Sequence, residues 1–205
     1  KKKFLKLGLF TLIAISFTLL PRKKVPYTFE TEGSEDIVES IAETGISTEA
    51  YSNTAKIPVI YSFFVEIPKI DLKRDITPNV DPSNKDEYMS VIEESVAHGM
   101  YTALPYIQDG NTYLFAHSKI SENGGTPDGG WFTRIDELST GDSIYITLNE
   151  KTYFYTVRKR IIVDPLETEV YTGKSVFEDH NSLTLQTCWP RGTTEKRLIV
   201  QAISE

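Results

Sequence analysis

Polar and apolar positions alternate along most of the second half of the chain. The stretches "DSIYITL" (142–148) and "TYFYTVRKRIIV" (152–163) alternate with period two and are joined by a tight turn at Asn149-Glu150, the pattern of a β-hairpin. "SLTLQTC" (182–188) and "RLIVQAIS" (197–204) form a second such pair around the loop "WPRGTTEK". "NTYLFAHS" predicts a strand over 112–116 that ends at His117, and "VIYSFFVEIPKIDLKRDITP" predicts short strands interrupted by prolines. Helical patterning is scarce: "PSNKDEYMSVIEES" predicts one short helix, and "WFTRIDEL" two helical turns closed by Gly141. "SENGGTPDGG" is a loop by composition. Seven or eight short strands with few helices predict a mainly β fold, a closed barrel or a sandwich.

The N-terminal part has a different pattern. Residues 1–24 carry an apolar run, Leu7 to Leu20, between two basic clusters. The run is shorter than a typical span of about 17 or more residues, but Phe4 and Leu5 extend it if Lys6 reaches back to the headgroups. A cleaved signal peptide is the rival reading. It calls for small residues before the cut, and "FTLLPRKK" has none. The expectation is therefore an uncleaved single-pass anchor in the cell membrane. Residues 25–56 form an acidic, Ser/Thr/Glu-rich spacer with no basic residue between Lys24 and Lys56; a short helix is predicted near 34–44, where Ser34 caps a face of Ile37, Val38 and Ile41. The globular domain is expected over 57–205.

The net charge of −7 excludes general nucleic-acid binding, which requires a basic footprint. The chain has one cysteine, Cys188, so an exported domain has no intrachain disulfide available to it. Strand parity places this thiol. If the last two strands pair antiparallel, Cys188 faces Arg197, with directly opposed Cβ atoms about 4.5–5.5 Å apart. Leu183 and Leu185 point into the core, so Cys188 lies out of phase with them, on the other face. A guanidinium beside a thiol favours the thiolate and offers donors to an oxyanion. A nucleophilic cysteine also calls for a histidine. Of the three, His180 lies in the acidic loop "FEDHNS", His98 lies in "ESVAHGMYTALP", and His117 ends a strand as Cys188 does.

These stretches resemble the sortase family. "TLQTCWPRGTTEKRLIV" resembles its T-L-x-T-C motif, short loop and R-L-I-V strand. "GNTYLFAHS" resembles its G-N-x-x-x-x-x-H segment, with Ala116 in place of the commoner glycine before the histidine, and "EIPKIDL" resembles its early I-P-K-I strand. The resemblance runs from about Ile57 to Ile203. It implies a closed sortase-type β-barrel of about eight strands and a cysteine transpeptidase on the extracellular side of the membrane. Cys188 would attack a carbonyl within an L-P-x-T-G-like sorting motif of an exported protein. The thioester would then be resolved by an amine of a cell-wall precursor or a pilin-like subunit. His117 would carry protons, Arg197 would hold substrate and stabilise the oxyanion, and Thr187 and Trp189 would contact substrate. No cofactor or metal is expected, because the loop before the cysteine strand lacks calcium-ligand spacing. The competing expectations are a membrane-anchored cysteine protease and an inactive barrel used for binding.

Overall fold

The computed structural model describes residues 59–166 and 174–205. The expected anchor, most of the spacer and the helix near 34–44 lie outside them. Among the described residues no helix is long and apolar enough to cross a membrane.

Eight strands close into a barrel: β1 (Phe63–Ile67), β2 (Leu72–Val80), β3 (Val96–Gly99), β4 (Asn111–Phe115), β5 (Ser143–Leu148), β6 (Lys151–Val163), β7 (Ser182–Trp189) and β8 (Lys196–Ser204). Around the barrel the order is β1-β2-β3-β4-β7-β8-β6-β5. The β2–β3 and β4–β7 pairs are parallel and the others antiparallel. Alternation sets the inner face. Val65 and Ile67 of β1, Ile144 and Ile146 of β5, and Leu183 and Leu185 of β7 are all fully buried in one core. The prolines fall where they cost no ladder bond. Pro68 opens a 3-10 turn between β1 and β2, and Pro78 sits at a register shift of β2, beside Asn79 at φ 59°. The β5–β6 hairpin turns at Asn149, in the left-handed region at φ 56°.

The helix α1 (Lys85–Glu94) falls within the stretch predicted to be helical. The Asn84 side chain accepts the Glu87 amide at 3.3 Å, and Asp86 and Glu87 occupy the first turn. Ile92, with Tyr88, Met89 and Val91 beside it, covers Tyr113 and Phe115 on the outer face of β4. Strand β4 is thus buried on both faces, its inner side filled by Leu114.

Two elements differ from the sequence expectation. β3 was not foreseen: its four residues, "VAHG", are buried on both faces and leave no alternation to read. "WFTRIDEL" forms consecutive turns and a 3-10 turn, Ile135–Glu137, instead of two α-helical turns. Phe132, Ile135 and Leu138 are all fully buried, and a spacing of three puts them on one face of a three-residue turn.

The parallel β4–β7 pair is fastened at its base by Asn111, which is fully buried. Its Oδ1 accepts from Ser182 Oγ at 3.0 Å and Thr184 Oγ1 at 2.9 Å. Gly110 before it has no room for a side chain, since a Cβ would lie 2.4 Å from Ala103 Cβ and 2.9 Å from the Ile107 carbonyl oxygen. Asn111→Ala strands two buried hydroxyls. It is expected to lower stability by about 2–4 kcal/mol, read from the urea midpoint at unchanged m-value.

Candidate functional site

Cys188 lies near the end of β7, directly opposite Arg197 of β8, as the alternation predicts. It is a half-buried free thiol. Phe115 of β4 pairs with Gln186 of β7, and the same parallel register carried two residues further sets His117 beside Cys188. Side chains and backbone continue the ladder where the strand ends. The Ala116 amide donates to the Gln186 carbonyl at 3.2 Å, Thr187 Oγ1 donates to the Ala116 carbonyl at 2.9 Å, and Ser118 Oγ donates to the Cys188 carbonyl at 2.7 Å. The His117 carbonyl accepts the Phe132 amide at 3.1 Å, which ties this corner to the buried 131–138 segment. The chemistry is therefore carried by the ends of neighbouring strands, held by three transverse bonds.

His117 is largely buried, its side chain 18 % exposed. Its Nε2 lies 3.4 Å from Glu93 Oε1, within ion-pair distance, yet lacks a partner of hydrogen-bond geometry. Burial lowers the His117 pKa below the usual imidazole value; Glu93 opposes that shift and Lys119 adds to it. Glu93 is held in turn by Lys119 Nζ at 2.7 Å, and that hydrogen bond is the main reason its carboxyl lies below the usual range.

Arg197 Nη1 donates to the carbonyls of Thr194 at 3.1 Å and Lys196 at 3.0 Å. The guanidinium is thus braced against its own loop while the residue faces the thiol across the ladder. The β7–β8 loop is latched at its other side by Arg191, whose Nη2 meets Asp136 Oδ1 at 2.5 Å and Glu137 Oε1 at 3.2 Å. Gly192, at φ 75°, lets this loop approach Ile120, since a Cβ would lie 2.6 Å from Ile120 Cγ1.

The two residues expected to contact substrate sit on the core side of β7. Thr187 is buried, with its hydroxyl engaged by Ala116, and Trp189 packs against the barrel core from a half-buried position. His180 is on the surface. His98 is enclosed: its Nδ1 accepts the Asn79 amide at 3.3 Å, and Nε2 lies 3.1 Å from Thr102 Oγ1 and 3.3 Å from the Ala103 carbonyl. Because Nδ1 accepts, the ring's proton is on Nε2. Sequence reasoning missed Glu93, Lys119 and Ser118. Lys119 and Ser118 follow His117 directly, but nothing in the spacing signals that Glu93 of α1 reaches it.

Among the described residues no group of three or more His, Cys, Asp or Glu side chains is placed to hold a metal. Among the described residues, one open surface depression of about 320 Å³ is lined by Ser62, Phe64, Lys73, Arg74 and Asp75, and another of about 370 Å³ by Asp109, Lys174, Ser175, Phe177, Glu178 and Asp179; Cys188 lines neither.

A closed β-barrel presenting a thiol, an imidazole and a guanidinium on adjoining strand ends is the framework of a cysteine acyl-transfer enzyme. The profile of the Sortase domain matches residues 65–205. The chain belongs to the sortase family, whose members are cysteine transpeptidases. Among solved structures it is similar to sortase C1 from Streptococcus suis, with 27 % identity, TM-score 0.58, and coverage of 70 % of this chain and 72 % of that one. Sortase A from Corynebacterium diphtheriae shares 26 % identity at TM-score 0.57, covering 72 % of this chain and 61 % of that one. A pilus-related sortase C of Group B Streptococcus shares 25 % at TM-score 0.57, covering 70 % and 66 %. No curated protein matches the chain significantly.

Burial pushes the His98 pKa down to about 4 from its ordinary 6.5. The unfolded chain therefore takes up this proton at higher pH than the native state. Stability attributable to His98 is intact above pH 6.5 and is lost as pH falls from 6.5 towards 4, by up to about 3 kcal/mol. His98→Gln is expected to flatten the stability–pH slope in that window, whatever its offset, as read by urea unfolding at several pH values.

Proposed function

We propose that the protein is an active sortase-type transpeptidase with Cys188 as nucleophile, His117 as proton carrier and Arg197 as oxyanion and substrate donor. The observation that carries this reading is the convergence of the three at one end of the barrel: Cys188 faces Arg197 across β7–β8, and the β4–β7 register brings His117 alongside. The thiolate sulfur bonds to the carbonyl carbon of a sorting motif and a tetrahedral oxyanion forms. The C–N bond then breaks, His117 gives its proton to the departing amine, and a thioester remains. An incoming amine attacks the thioester, gives a proton to His117, and releases the thiolate.

The substrate class is an exported protein with an L-P-x-T-G-like motif. The acceptor is an amine of a cell-wall precursor or of a pilin-like subunit; likeness to a pilus-related sortase C supports the latter. The apolar run at 7–20, flanked by basic residues, supports an N-terminal anchor that holds the barrel at the extracellular face of the membrane. Thr187, with its hydroxyl on the Ala116 carbonyl, supports the His117 segment from behind, and Trp189 packs behind the thiol strand.

The full-length protein, a quenched sorting-motif peptide and titrated glycine-type or lysine-type amines test this reading. A primary amine is expected to raise product formation well above hydrolysis, because an acceptor held beside the thioester has a large effective concentration. Ligated and hydrolysed products are separated by mass spectrometry, and a protease would show hydrolysis with every amine. Arg197→Lys is expected to lower kcat/KM by roughly 10²–10³-fold. An ammonium lacks the planar fork that can hold the Thr194 and Lys196 carbonyls while donating to an oxyanion.

A further inference from the structure

Among the described residues, Glu93 is the acidic group that comes within ion-pair distance of the imidazole, and it arrives from outside the barrel. It stands near the end of α1, one residue after the buried Ile92 that seats the helix on β4. Its carboxylate divides its two oxygens. Oε2 takes the Lys119 ammonium at 2.7 Å, and Oε1 is turned to His117 Nε2 at 3.4 Å. Lys119 is fixed at its own backbone, where its amide donates to Thr133 Oγ1 at 2.9 Å. The pair is roofed by Gly129, at φ 69°. A Cβ there would lie 2.5 Å from both Glu93 Oε2 and Lys119 Nζ and would displace them. His117 Nε2 is otherwise buried with no hydrogen-bond partner, a costly state for a ring nitrogen that must carry a proton during turnover.

We propose that Glu93 is the positioning residue for His117: it accepts the Nε2–H and so leaves Nδ1 as the nitrogen that exchanges protons with the substrate. The proposal rests on the role assigned to His117 above. In the imidazolium both nitrogens carry hydrogen. Nε2–H stays on Glu93, and Nδ1–H passes to the departing amine nitrogen as its C–N bond breaks. In the second half-reaction the attacking amine gives one N–H proton back to Nδ1, which restores the imidazolium. Glu93 itself never binds a proton in the cycle. Lys119 acts one step further out. It keeps the carboxylate ionised and fixes which oxygen is free, while its own charge works against the imidazolium. The charged groups acting on His117 are thus Glu93 of α1 and Lys119 of its own segment; the Cys188 thiol and the Arg197 guanidinium stand on the strands beside it.

The contact is half-exposed on its Glu93 side, so solvent screens it and the expected effect is moderate. The test uses the full-length protein with labelled histidine, the His117 resonances being identified by their loss in His117→Ala. In the wild type the neutral ring is expected to carry its hydrogen on Nε2 by ¹⁵N shift. In Glu93→Gln the His117 titration midpoint is expected to fall, the His117-dependent limb of the kcat–pH profile to move with it, and kcat to drop by about tenfold, a fraction of the 10²–10⁴ that a general acid–base group contributes. KM and thermal stability are expected to change little, and Glu93→Asp to recover part of the loss. An unmoved midpoint in Glu93→Gln, or a neutral ring protonated on Nδ1, overturns the proposal while leaving the transpeptidase reading intact. A midpoint that moves without any shift of the pH profile overturns it from the other side, by removing His117 from proton transfer. Failure of the role assigned to His117 has a separate signature, His117→Ala that keeps turnover, and failure of the transpeptidase reading has another, hydrolysis with every amine.

Discussion

The parallel pairing of β4 with β7 is the constraint on which the rest of the site depends. Parallel neighbours run in the same direction, so their ends emerge at the same rim of the barrel, and here each end carries one reactive group. A long crossover separates them in sequence, as a parallel connection requires. Their alignment comes from buried polar bonds instead: Asn111 with Ser182 and Thr184 at the base, then Thr187 with Ala116 and Ser118 with Cys188 at the rim. These bonds have fixed donors and acceptors, so a slip by one residue would leave several buried groups unpaired. Apolar packing alone would tolerate such a slip less selectively.

Electrostatically the rim is layered. The thiol and the guanidinium face each other across an antiparallel pair, which fixes their separation by ladder geometry. The imidazole stands to the side, partly desolvated, where burial favours its neutral form and Glu93 favours its charged form. Opposed influences of this kind keep a proton carrier within reach of both states, which proton exchange in two half-reactions requires. Around them the loops are latched by ion pairs at surface positions: Arg191 to Asp136 and Glu137, and Arg134 to Glu137. Individually such pairs contribute little, but shared partners reduce the entropy lost per contact.

Much of this was legible in the sequence because half-buried antiparallel strands write their pattern openly. The pairing of Cys188 with Arg197 follows from alternation and a hairpin alone, and His117 follows from sharing a strand-end location. Thr187, expected at the substrate, shares the parity of Leu183 and Leu185 and is buried with its hydroxyl on the Ala116 carbonyl. What stayed hidden was hidden for physical reasons. β3 is buried on both faces and so has no alternation. The 131–138 segment packs with a spacing of three, close enough to helical spacing to be mistaken for it. Glu93 reads as one more charge on a solvated helix face; only the docking of α1 on Tyr113 and Phe115 turns it toward the imidazole.

The length of β6 divides the molecule into two poles. Its Val163 end pairs with Arg197 at the reactive rim, while its Lys151 end runs on past the last residue of β8 to the Asn149 turn. Thirteen residues of strand span about 40 Å along the chain. The turn at Asn149 therefore lies at the end of β6 away from the reactive rim, and it is a natural attachment point. A tether, dye or surface fixed there would hold the barrel by the pole opposite its reactive rim.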